Sequence, residues 1–210
     1  MTPDELGQAI ELGREQAGVE FKPPCLRGDK GPFAQVARAL MAMANRADGG
    51  RVVVGVEERE NRLYEKGLTQ EQADSWLVHD HLGDALAVYA DPPFDFECVG
   101  VELNGARYVV IRAFEFRDTP IVCKKSYARG DGAAVLREGA TYVRPRRKPE
   151  TVEVSTAADM RDLIDLAAQK RLRALLATVQ RAGGSVVTGS GGPPAPTTPG
   201  LFTRQLGDLP

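Results

Sequence analysis

The chain has 210 residues, 42% of them hydrophobic, and a formal net charge of −2. This supplies one well-buried core, and the charge balance argues against a generic polycationic nucleic-acid binder. No long apolar run or leader pattern is read, so a soluble, cytoplasmic protein with no membrane partner is expected.

The first stretch, "TPDELGQAIELGREQAG", predicts a helix with Thr2 as N-cap, Pro3 at its first position and Gly18 as left-handed C-terminal cap. "VEFK" alternates as a short strand. "GPFAQVARALMAMANRA" predicts a helix, with Phe33, Val36, Ala37, Leu40, Met41 and Ala44 at helical spacing. "ADGG" is a turn, in which Gly49 and Gly50 serve a tight helix-to-strand reversal more than a close approach to phosphate. "RVVVGV" is too apolar for a one-sided strand and is expected to be central, covered on both faces. "TQEQADSWLVHDHLGDALAVYA" predicts a second long helix, ended by Pro92 and Pro93, with Trp76 in the core and His79 and His81 diverging at its surface. "FDFECVGVELNGARYVVIRAFEF" predicts a hairpin, because Asn104-Gly105 supplies the positive φ angles of a type I′ turn.

Shorter strands follow at Ile121 to Cys123 and Thr141 to Arg144, then a helix from Thr156 to Ala182 with an apolar stripe. After Gly183 the composition turns to Gly, Pro, Ser and Thr, which predicts a flexible tail. The expected fold is α/β: a mixed β-sheet holding "VEFK", "RVVVGV" and the hairpin, packed by helices, plus a C-terminal helix and tail. The expected divisions are a domain over 1–150, the helix over 151–182 and the tail over 183–210.

Charge is segregated along the chain. Glu57 to Glu102 holds twelve acids against three bases, whereas Ile121 to Glu150 holds eight bases against three acids. Two readings follow: two solvated faces, or one end that attracts phosphate. On the second, Lys124, Lys125, Arg144, Arg146, Arg147 and Lys148 are the nucleic-acid contacts, with "RPRRKP" kept extended by its prolines.

The acids near the start of the chain carry a second question. Glu15 precedes Gly18 and Glu20 lies in the strand, where Glu20 and Lys22 face one way and Val19 and Phe21 the other. Such residues form either a solvated strand face or metal ligands beside a phosphate-binding lysine. Cys25, Cys98 and Cys123 have no zinc or disulfide spacing, and Cys25 reads as an ordinary free thiol. No GxxxxGK[ST] motif is present, so no nucleotide cofactor is expected.

The order "VEFK", a helix ending in "MAMAN", a Gly-Gly turn and "VVVGVEE" resembles the Schlafen core domain. That domain is also seen as the Alba-like DNA-binding domain of divergent AAA-type bacterial regulators. The resemblance continues through the hairpin, Pro120 and "TYVR" and covers roughly Pro3 to Arg144. It implies a metal-dependent endonuclease acting on structured RNA such as tRNA, in which Glu15, Glu20 and Glu57 hold Mg²⁺ or Mn²⁺. Glu58 is the fallback for the third ligand, and Lys22 assists at the phosphate.

The Alba-like likeness implies an alternative, a nucleic-acid-binding module without catalysis, and a third reading is an interaction subunit of a regulatory or defence complex. A protein partner would then engage the C-terminal helix or tail. RNA is expected ahead of DNA as ligand, and a homodimer is expected because animal members pair two lobes. The sequence departs from the family pattern in three places. Glu57 stands where aspartate is usual, "ANRADGG" is one residue longer than the usual turn, and the animal zinc site has no counterpart.

Overall fold

The computed structural model describes residues 1–13, 16–60, 62–145 and 150–182. Its chain order is α1 (Pro3–Glu11), β1 (Val19–Lys22), α2 (Lys30–Ala44), β2 (Gly50–Val54), β3 (Val56–Arg59) and β4 (Arg62–Glu65). Next come α3 (Gln70–Leu77), α4 (His79–Ala87), β5 (Ala90–Asp91), β6 (Phe96–Leu103), β7 (Ala106–Ala113) and β8 (Val122–Cys123). The last elements are β9 (Tyr127–Ala128), β10 (Ala134–Leu136), β11 (Tyr142–Val143), β12 (Val152–Glu153) and α5 (Ala157–Arg181). The chain divides into two compact units, Met1–Arg171 and Leu172–Pro210. In the second, the described residues are the end of α5, with Leu172 and Leu175 exposed.

The main sheet of the first unit runs β1-β2-β7-β6, with β1 parallel to β2 and the remaining pairs antiparallel. Strand alternation sorts its residues into two cores. Val52, Val54, Val109 and Ile111 join α2 on one face, while Phe21, Val53, Tyr108 and Val110 join α1 on the other. The expected mixed α/β sheet is therefore present, with β2 inside it. The β6–β7 turn has Asn104 and Gly105 at φ 52° and 76°, as the Asn-Gly pair predicts.

Two helix predictions are corrected. The first helix starts as expected, with a reciprocal capping box between Thr2 and Glu5, but it ends at Glu11. Gly13, not Gly18, takes the left-handed conformation. The long second helix is two helices, because Val78 is extended (φ −79°, ψ 98°) and caps both. On one straight helix Leu82 would sit about 120° around the axis from Trp76. The break lets Trp76, Leu82 and Leu86 all enter the same core. Trp76 is fully buried, and its indole N–H donates to the Cys25 carbonyl at 3.0 Å. His79 and His81 are exposed, as expected, and His79 stacks on Phe96.

Asn45, which ends α2, is the buried polar junction of the unit. Its Oδ1 accepts from the Ile121 N–H at 2.7 Å. Its Nδ2 donates to the carbonyls of Ile121 and Tyr142 at 2.8 and 3.0 Å. One side chain thereby satisfies three backbone groups from two later segments. Asn45→Ala strands all three without water, and we expect it to cost about 2–4 kcal/mol in urea unfolding. Asn45→Asp should restore only the Ile121 N–H contact, since its carboxylate faces the two carbonyls as an acceptor with a charge.

Candidate nucleic-acid interface

β1 lies at an edge of the main sheet, and its register places Glu20 beside Val52 and Lys22 beside Val54, on the α2 face. An edge position leaves room for the segment around β11 and β12 to cover these two polar residues. Glu20 is 5% exposed. Its carboxylate is ion-paired with Lys22 and with Arg144, and it accepts from the Thr151 hydroxyl at 2.6 Å. The Arg144 guanidinium also donates to the Gln16 carbonyl at 3.0 Å. Burial alone would raise the Glu20 carboxyl; Lys22 and Arg144, with the Lys22 and Thr151 hydrogen bonds, outweigh it and hold the group below its ordinary value.

Beside this network lies a hollow of about 450 Å³. Glu20 and Lys22 form its floor from β1, and Gln35 and Arg38 reach it from α2. Arg129 follows β9, while Glu58, Glu150 and Thr151 complete the rim. The Arg38 guanidinium lies over the Tyr142 ring, 5.0 Å from its centroid. Its Nε is buried and has no hydrogen-bond partner among the described residues. Neither Arg38 nor Arg129 has a carboxylate partner among them. Two guanidinium groups without a carboxylate partner among the described residues therefore line the hollow, next to a lysine fixed by a buried acid. Such an arrangement accepts phosphate oxygens, and the Glu58 and Glu150 carboxylates add acceptors for hydroxyl or amino groups.

The residues named from sequence fall in several places. Glu20, Lys22 and the fallback Glu58 share the hollow. Glu57 lines a different one, of about 300 Å³, with Arg59, Glu60, Tyr64 and Lys66, and Arg59 donates to it at 2.7 Å. Arg144 is buried on Glu20 and is an internal cation rather than a surface one. Lys124 and Lys125 are exposed in the turn after β8. Glu15, Arg146, Arg147 and Lys148 lie outside the described residues.

Of the residues in the implied metal set, Glu20 and Glu57 line separate hollows, Glu20 paired with Lys22 and Arg144 and Glu57 with Arg59. No group of three His, Cys, Asp or Glu side chains is placed to hold a metal ion among the described residues. Cys25 is buried, and burial with the nearby Asp29 pushes its thiol up to about 11, so it is a poor nucleophile. No described helix is long and apolar enough to cross a membrane.

Sequence reasoning missed Arg38, Arg129 and Thr151. Arg38 did carry a signal, an arginine set between the fully buried Ala37 and Ala39 of the most buried helix. Arg129 and Thr151 sit in turn and strand-edge segments whose composition carries none.

The Schlafen, AlbA_2 family profile matches residues 15–146. This chain belongs to that family. The match runs from the residues before β1 to just past Arg144, so it contains both members of the Glu20–Arg144 pair. Among solved structures, the DIP2311 protein of Corynebacterium diphtheriae is similar at 19% identity and TM-score 0.44, over 75% of this chain and 28% of that one. The N-terminal domain of a Nitrosomonas europaea protein described as related to the ATP-dependent DNA helicase RecG is similar at 19% identity and TM-score 0.47. That likeness covers 66% of this chain and 90% of that domain. No curated protein matches the chain. Membership of the Schlafen, AlbA_2 family supports a nucleic-acid-related function.

Proposed function

We propose that this Schlafen, AlbA_2 domain binds nucleic acid through the hollow beside Glu20, with RNA favoured over DNA. The observation that carries the reading is the pair Arg38 and Arg129, two guanidinium groups without carboxylate partners on the rim of a polar hollow. They would take successive phosphates, with Lys22 held ready by Glu20 in the same hollow. Glu58 and Glu150 supply acceptors for ribose 2′-hydroxyls, the group by which a protein tells RNA from DNA. The implied endonuclease activity is a finer reading that would need Glu15 and a Glu20 released from its cations.

Fluorescence anisotropy of labelled single-stranded RNA, single-stranded DNA, tRNA and duplex DNA tests the proposal, each with Mn²⁺, Mg²⁺ or EDTA. Binding is expected in EDTA, tightest for RNA. Arg129→Ala, at an exposed position, should lower the slope of log affinity against log salt by about 0.7 on single strands. Arg38→Ala should do the same, and Arg38→Gln keeps a side chain over Tyr142 should the alanine variant melt early. Cleavage abolished by EDTA would establish the hydrolytic reading. Absence of binding to every nucleic acid would end both.

A further inference from the structure

The β3–β4 hairpin leaves the main sheet at Gly55. There φ is +116°, and a Cβ would sit 3.0 Å from the Tyr108 ring, so the bend requires glycine. Its base closes when the N–H groups of Lys66 and Gly67 donate to the Gly55 carbonyl. The register pairs Val56 with Glu65, Glu57 with Tyr64, Glu58 with Leu63 and Arg59 with Arg62. Cross-strand partners share a face, so Glu57, Arg59, Arg62 and Tyr64 stand on one side and Val56, Glu58, Leu63 and Glu65 on the other.

The second side is used by the fold. Val56 is buried in the α1-side core, Leu63 packs against it, and Glu65 accepts from the Tyr108 hydroxyl at 3.2 Å. The first side has no such use. Tyr64 is 42% exposed and makes no hydrogen bond among the described residues. Arg62 and Lys66 are exposed, with no carboxylate partner there. On this side, among the described residues, Glu57 is neutralised by Arg59, which leaves Arg62 and Lys66 against Glu60, while Glu58 and Glu65 stand on the other side. Tyr64 and Lys66 border the hollow of about 300 Å³.

We propose that this face is a second contact for single-stranded nucleic acid, in which a nucleobase stacks on Tyr64 while Arg62 and Lys66 meet the flanking phosphates. Every base has a π-face, so an aromatic platform between cations suits an unpaired strand and offers nothing to a duplex, whose bases are already stacked. Glu57 and Glu58 are consecutive residues that line the two hollows, so one strand passing around β3 reaches both. This inference rests on the binding function proposed above, and it adds the preference for unpaired strands.

The test uses the full chain. Trp76 is the lone tryptophan and is fully buried, so Tyr64→Trp creates an exposed fluorophore. Adding single-stranded RNA should quench it with the midpoint that anisotropy gives. Tyr64→Ala should weaken single-strand binding at least about fivefold and leave duplex binding within twofold. Arg62→Ala and Lys66→Ala should each lower the single-strand salt slope by about 0.7. Wild-type affinity in Tyr64→Ala, equal losses on single strands and duplex, or no quenching in Tyr64→Trp would overturn the proposal. If Arg38→Ala weakens binding while Tyr64→Ala does not, only this second contact falls. If the wild type binds no nucleic acid, the binding function falls with it.

Discussion

Glu20→Gln is expected to lower stability by about 3–5 kcal/mol near neutral pH, because it leaves the buried Arg144 and the partly buried Lys22 facing a neutral amide. The amide can still accept hydrogen bonds from Thr151 and Arg144, but it cannot neutralise Lys22 and Arg144 together. The pH dependence has a definite sign. The Glu20 carboxyl titrates below its ordinary value in the folded protein. Its contribution is therefore fully present above the unfolded carboxylate pKa and is lost as pH falls through the lower folded value. The gap between wild type and Glu20→Gln in urea titrations should be constant from neutral pH down to mild acid and close only below the usual carboxylate range. A gap that is already absent at neutral pH would mean that the pairing contributes nothing.

The same residue bears on how function is assigned. Loss of nucleic-acid cleavage or binding in Glu20→Gln does not by itself identify a catalytic carboxylate, because unpinned Lys22 and Arg144 produce the same loss. Glu58→Gln is the cleaner probe. Glu58 lines the same hollow, is exposed and has no ion-pair partner among the described residues. A hydrolytic site at this hollow predicts a large loss on Glu58→Gln with unchanged melting. A pure binding site predicts a modest change, confined to the preference for RNA.

The sheet was legible in the sequence because its signals are local. Asn104-Gly105 prescribes a turn, and the unbroken valines of β2 require cover on both faces, which α1 and α2 provide. The helix ends were less legible. Gly18 and Gly13 are equivalent as letters, and only packing decides that α1 stops once Leu6, Ala9 and Ile10 are buried. The break at Val78 likewise answers to the position of Trp76 in three dimensions. At the candidate site, alternation correctly put Glu20 and Lys22 on one side of β1. The second cation that neutralises Glu20, Arg144, comes from 124 residues away, and no local pattern announces such a pairing. The β3–β4 hairpin escaped notice for another reason. Its strands are mostly charged, and the signal for them is the single bend at Gly55.

Gly49→Ala should be among the most damaging single substitutions, at about 3 kcal/mol or more. The "ADGG" turn places Asp48 and then Gly49 in the left-handed region, with φ 67° and 68°. An alanine at Gly49 would bear a Cβ 2.2 Å from the Ala113 carbonyl oxygen and 3.1 Å from the Glu115 N–H nitrogen. Both are backbone atoms, so no rotamer change relieves the contact. Ala113 ends β7, where it pairs with Gly50 on one side and Phe96 on the other. Relief must move either the start of β2 or the end of β7, and both belong to the main sheet. Gly105→Ala separates the two contributions. Its φ of 76° carries the same conformational penalty, but a Cβ there meets nothing within 4 Å. Gly105→Ala should therefore cost only about 1 kcal/mol, the expense of a left-handed alanine. Urea unfolding of the two variants side by side checks the claim. Equal losses would mean that the turn yields without disturbing the sheet, and that the tight approach at Gly49 does not constrain the junction between α2 and β2.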